Sequence, residues 1–80
     1  MGDHGNWVVY VREGCHLCDD FLQELAVELG SEFEEVQVVD VDGDVELALR
    51  YGLRVPVLEY RGLTVCEARI DAGRIRAQRL

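Results

Sequence analysis

The sequence predicts a small α/β domain: a mixed four-stranded sheet flanked by helices, in the order β-α-β-α-β-β-α. Three observations carry this expectation. Short continuous apolar runs alternate with segments whose apolar residues recur every three or four positions, so the period switches between strand and helix along the chain. About twenty residues separate the first two apolar runs, enough for a helical crossover between parallel strands. The last two runs are joined only by Arg61-Gly62, which suits an antiparallel hairpin.

Each element has its own signal. Trp7-Val8-Val9-Tyr10-Val11 is apolar, β-branched and aromatic throughout, the pattern of a strand covered on both faces. Leu17, Phe21, Leu22, Leu25, Ala26 and Leu29 then trace one face of a helix that ends near Gly30. Val36 to Val41 reads as the second strand. Asp42 or Asp44 is placed to cap a short helix carrying Val45, Leu47, Ala48, Leu49 and Tyr51, with Glu46 and Arg50 one turn apart and Gly52 as its stop. Val55 to Tyr60 and Leu63 to Cys66 form the hairpin. Asp71 caps a terminal helix whose apolar positions are sparse, Ala72, Ile75 and Leu80, and which Gly73 weakens. Pro56 lacks an N–H, so it requires a strand beginning, an edge or a cis peptide; the sequence leaves the isomer open.

Length, composition and charge bound the function. Eighty residues make one domain, 1–80, with a single modest core, and residues 1–6 are expected to be a flexible N-terminus. A hydrophobic content of 49% with one proline argues against disorder, and no apolar stretch of membrane-spanning length occurs. The first residues lack the apolar core of a signal peptide and three cysteines cannot all pair within one chain, so a cytoplasmic location is expected. Sixteen acids face eight bases, all arginine, for a net charge of −8; a nucleic-acid backbone would be repelled on average, and neither a nucleic-acid nor a membrane partner is expected. Arg69, Arg74, Arg76 and Arg79 read as a helix end complementing its own dipole. The aromatic residues are accounted for by a small core and its rim, and the acids by a solvated surface.

The chemistry lies in Cys15 and Cys18, two thiols spaced by two residues directly after an apolar run and at the start of a helical one. A thiol capping a helix is met by unpaired N–H groups and by the positive end of the dipole, so its thiolate is favoured over that of a free cysteine, whose pKa is about 8.5. Cys18, three positions on, lies on the same side of the first turn and within reach of a mixed disulfide at Cys15. Gly14 leaves room for a sharp turn into the helix. Glu13, Asp19 and Asp20 temper the activation, and His16 is assigned to redox tuning. The expected function is therefore thiol–disulfide exchange through Cys15 and Cys18, with a thiol or disulfide substrate as partner. Two alternatives remain open: a redox-sensitive interaction module with little turnover, and a metal or iron–sulfur domain in which Cys66 supplies a third ligand. No metal or other tightly bound cofactor is expected, since the pair is half of a usual four-ligand set.

The stretch Tyr10-Val11-Arg12-Glu13-Gly14-Cys15-His16-Leu17-Cys18-Asp19, with Asp40-Val41-Asp42 and Arg50-Tyr51-Gly52-Leu53-Arg54-Val55-Pro56-Val57, resembles the thioredoxin fold and, more narrowly, the small glutaredoxin-like family. The resemblance covers residues 7 to 80. It implies that Cys15 is the exposed nucleophile and Cys18 the buried resolving cysteine. It also implies that Pro56 is a cis-proline facing the dithiol, and that the Val55 backbone pairs with bound glutathione or peptide. Arg12 falls near a position where a basic residue contacts a glutathione carboxylate, and glutathione enters as a cosubstrate. Three departures stand against that last implication. His16-Leu17 replaces the usual proline-tyrosine between the cysteines, Arg54 replaces a threonine, and the glycine pair and aspartate after the hairpin are not clearly matched.

Overall fold

The computed structural model describes residues 6–79. Its strands are β1 (Trp7–Val11), β2 (Gln37–Asp40), β3 (Val57–Tyr60) and β4 (Leu63–Glu67); its helices are α1 (His16–Leu29), α2 (Val45–Tyr51) and α3 (Ala72–Ala77). The sheet order is β2-β1-β3-β4. β1 runs parallel to β2, with Val9 opposite Val38, and antiparallel to β3, with Val9 opposite Leu58. The order of elements and the mixed sheet are those the sequence predicts.

Both faces of the central strand are covered, as its unbroken apolar run requires. On one face Trp7 and Val9 meet Phe21, Leu25 and Leu29 of α1, Leu58 of β3 and Ile75 of α3. On the other, Tyr51 packs with Val41 and Val57, with Tyr10 and Leu47 against them. Fully burying a side chain such as Phe21 or Leu25 stabilises by roughly 1.5–3 kcal/mol, so the α1 face is the main apolar reservoir of this small domain.

The strand ends differ from the sequence pattern for identifiable reasons. Val36 closes a 3-10 turn over Gly30–Glu35, its N–H bonded to the Phe33 carbonyl at 3.1 Å. Val41 begins a second turn, Val41–Gly43, which the Asp40 side chain caps through the Asp42 N–H at 2.9 Å. Val55 and Pro56 lie outside the ladder, because Val55 bonds back to Tyr51 and Pro56 has no N–H to give. Between the two candidate caps of α2, the structure selects Asp44: its Oδ1 accepts the Glu46 and Leu47 N–H groups at 2.8 and 3.2 Å.

The hairpin turns at Arg61 and Gly62, both with positive φ, 53° and 84°, the twist that matches paired right-handed strands. Asp71 caps α3 through the Arg74 N–H at 3.1 Å. Arg76 reaches Glu28 at 2.7 Å and Arg79 reaches Glu32 at 3.0 Å, so two arginines of the C-terminal cluster tie the chain end to α1 and the turn after it. Leu80, counted as an apolar position of the last helix, lies outside the described residues. So does the N-terminal segment expected to be flexible, except Asn6, whose carbonyl accepts the Arg61 N–H at 2.8 Å.

Candidate functional site

The strand register gathers four connections at one end of the sheet. Tyr10 pairs with Val57, so the loop after β1 and the loop before β3 leave side by side. Val57 also pairs with Glu67, which brings the connection after β4 there, and Val11 pairs with Asp40, which adds the turn after β2. Cys15, Pro56, Ala68 and Asp42 therefore belong to one rim.

At that rim Gly14 adopts φ +74° and turns the chain into α1, a conformation that costs any residue with a Cβ. Cys15 is the cap of the helix: its Sγ accepts the Cys18 N–H at 3.0 Å. The two cysteines are joined as a disulfide with Cα atoms 5.2 Å apart. They are not equivalent. Cys15 is half-buried, whereas Cys18 is 1% exposed beneath the first turn. His16 and Leu17 between them are exposed.

The Val55–Pro56 peptide is cis, the isomer the sequence left open. Pro56 is buried, and its carbonyl accepts the Ala68 N–H at 2.8 Å, which joins this loop to the connection after β4. Tyr51 holds the loop from the other side: its carbonyl accepts the Arg54 and Val55 N–H groups at 2.8 and 3.0 Å. The Tyr51 ring stacks on Tyr10 with centroids 4.0 Å apart, and its hydroxyl donates to Glu59 Oε2 at 2.7 Å. Burial, aided by that hydrogen bond, pushes the Tyr51 phenol up to about 12. Sequence reasoning missed Glu59, a carboxylate only 8% exposed on a central strand. The signal was a lone acid inside Val57-Leu58-Glu59-Tyr60, which calls for a buried partner.

Arg12, assigned by resemblance to a glutathione carboxylate, is engaged within the chain. Its Nη2 and Nε donate to Asp42 at 2.7 and 3.3 Å, and its Nη1 donates to the Gly52 carbonyl at 2.9 Å. The hydrogen bond from Arg12 lowers the Asp42 carboxyl below its ordinary value. Arg54 is held likewise, with Nη2 2.6 Å from Glu67 Oε2. After the hairpin, Ala68 takes a positive φ, 65°, and Asp71 spends its side chain on capping α3.

A groove of about 360 Å³ opens beside the pair, between Leu17, Asp20, Phe21 and Glu24 of α1 and the loop Ala68, Arg69 and Ile70. A larger hollow of about 630 Å³ lies at the other end of β3, around Tyr60, Leu63 and the Arg79–Glu32 pair; neither hollow is lined by a cysteine, and the smaller one adjoins the thiol pair through Leu17. Cys66 sits in the core on β4, where burial pushes its thiol up. Among the described residues, no group of three or more His, Cys, Asp and Glu is placed to hold a metal ion, and no helix is long and apolar enough to cross a membrane.

Comparison with known proteins agrees with this geometry. A structural-genomics target protein of X. campestris, solved by X-ray crystallography, is 37% identical and superposes with a TM-score of 0.72, over 90% of this chain and 92% of that one. A Nitrosomonas europaea protein solved by NMR in solution is 32% identical, with a TM-score of 0.75 over 98% and 94% of the two chains. The holo form of glutaredoxin C1 from Populus tremula x tremuloides shares the fold at 19% identity, with a TM-score of 0.55 over 94% and 76%. No functionally curated protein matches the sequence. The model of the family described as Glutaredoxin-like domain (DUF836) matches residues 6–78, and the chain belongs to that family.

Proposed function

We propose that this domain is a thiol–disulfide oxidoreductase in which Cys15 attacks and Cys18 resolves. The observation that carries the reading is the asymmetry of the pair: a half-buried sulfur caps the helix while the other is sealed beneath it. The capping N–H and the helix dipole favour a thiolate at Cys15. In the reduced protein the Cys15 thiolate attacks a substrate disulfide, the substrate S–S bond breaks, and the departing thiolate takes a proton. Cys18, giving up its proton, then attacks the Cys15 sulfur of the mixed disulfide. This forms the Cys15–Cys18 bond and releases the second substrate thiol, so two electrons pass from protein to substrate. The cis-Pro56 loop supplies the docking edge. Because the Val55 N–H is bonded to Tyr51, pairing with a bound chain falls to the Val55 carbonyl. His16 tunes the pair through its exposed ring between the two thiols.

The test is trapping. Cys18→Ser should accumulate a mixed disulfide at Cys15, seen by intact mass and peptide mapping, while Cys15→Ser should trap little. The reverse pattern would exchange the two roles. Exchange by the reduced wild type no faster than an unstructured dithiol peptide of the same local sequence would replace catalysis by a slow redox-sensitive module.

A further inference from the structure

We infer that the disulfide substrate of this site is a cationic polypeptide, with lysine or arginine and an apolar residue close to its cysteine, and not the anionic tripeptide glutathione. The inference rests on the oxidoreductase reading above. It comes from what surrounds Cys15. Glu13, Asp19, Asp20 and Glu24 are all exposed on the redox loop and the first three turns of α1, and among the described residues none of these four carboxylates has a side-chain partner. Cations at the same rim are mostly spent: Arg12 on Asp42, and Arg54 on Glu67. Arg69, exposed on the far wall of the groove, faces Asp20 and Glu24 across it, and His16 is exposed between the two cysteines.

The groove also has an apolar component. Leu17, 54% exposed between the cysteines, and half-buried Ile70 face it from opposite walls, with Asp20 and Glu24 beside them. A chain lying there would place an apolar side chain against Leu17 and Ile70 and basic side chains against the carboxylates. Glutathione brings two carboxylates of its own. The potential of this rim repels them, and the arginine that the resemblance offers to one of them is bonded to Asp42 and Gly52. Surface charge of one sign around a reactive groove acts chiefly on association rate and is strongly salt-dependent.

The experiment is single-turnover stopped-flow oxidation of the reduced protein. Three substrates are compared: a peptide disulfide whose cysteine is flanked by a leucine and two lysines, its counterpart with two glutamates, and glutathione disulfide. At low ionic strength the lysine peptide should react about tenfold faster than the other two. In 1 M salt, where the screening length is about 3 Å, the difference should fall to about twofold. The variant Asp20→Asn with Glu24→Gln should lose most of the low-salt preference while keeping its circular dichroism. Equal low-salt rates, or faster reaction of glutathione disulfide, would overturn the inference and leave the oxidoreductase reading standing. A lysine preference undiminished in the double variant would overturn the assignment of these carboxylates. Failure of all three substrates to outpace the unstructured dithiol peptide would overturn the function itself.

Discussion

Replacing Tyr51 by phenylalanine isolates one hydroxyl at the support of the cis-Pro56 loop. The ring remains to stack on Tyr10, so what is lost is the 2.7 Å bond to Glu59, a side chain 8% exposed that has no other hydrogen bond recorded among the described residues. A hydrogen bond to a charged group contributes about 1.5–3 kcal/mol, and leaving its acceptor buried and unmet puts the cost in that range. The titration of Tyr51 adds a pH dependence, set by burial first and by the Glu59 bond second. Its phenol rises from 10.0 to about 12 on folding, and two pH units correspond to roughly 2.7 kcal/mol. A group whose folded pKa is raised contributes stability that is fully present below its unfolded value and lost as pH passes through the folded one. Tyr51→Phe should therefore cost about 2 kcal/mol at pH 7, a fall in Tm of roughly 8–16 °C for a domain of this size. The gap between wild type and variant should close between pH 10 and 12. Urea unfolding across that pH range, with a double-mutant cycle through Glu59→Gln, measures both. A cost below about 0.5 kcal/mol, or a gap that stays constant to pH 12, would refute the reasoning.

Three further outcomes are expected. Gly14→Ala should lose about 1 kcal/mol of stability from its positive φ alone, because no atom stands within 4 Å of the added carbon; thermal melts check this, and a much larger loss would mean that the loop is packed. Asp44→Ala should cost about 1 kcal/mol by orphaning the Glu46 and Leu47 N–H groups, read in urea midpoints, with Asp42→Ala as a control that leaves the α2 cap intact. Cys66 should resist alkylation in the folded, reduced protein at neutral pH while Cys15 reacts, as resolved by peptide mapping; equal labelling would contradict its burial and its raised thiol.

What the sequence made legible was local in origin. Cys15 as cap, Leu29-Gly30 as the end of α1, Asp71 as the cap of α3 and Arg61-Gly62 as the hairpin turn all depend on neighbours within a few positions. The 3-10 segment Gly30–Glu35 was not legible, because it is held from 25 residues away: Trp7 Nε1 donates to Glu32 Oε2 at 2.7 Å. Choosing between Asp42 and Asp44 needed the same kind of knowledge, since Arg12, 30 positions earlier, takes Asp42. At the site, spacing alone identified the thiol pair. The groove beside it required the connection after β4 to arrive opposite α1, a consequence of sheet register that no short window contains.

β2 is one of the two outer strands of the sheet, four residues long and exposed along most of its length. Such a border offers unpaired backbone groups to any other extended chain, and Val38 adds an apolar side chain that is 49% exposed. Two tight turns shorten it at both ends, and exposed Glu34 and Asp40 stand beside it. Two copies brought together border to border would set these acids against one another. The negative charge that shapes the redox rim at one place thus guards against self-association at another, and concentrated salt, by muting the repulsion, would expose the border to aggregation.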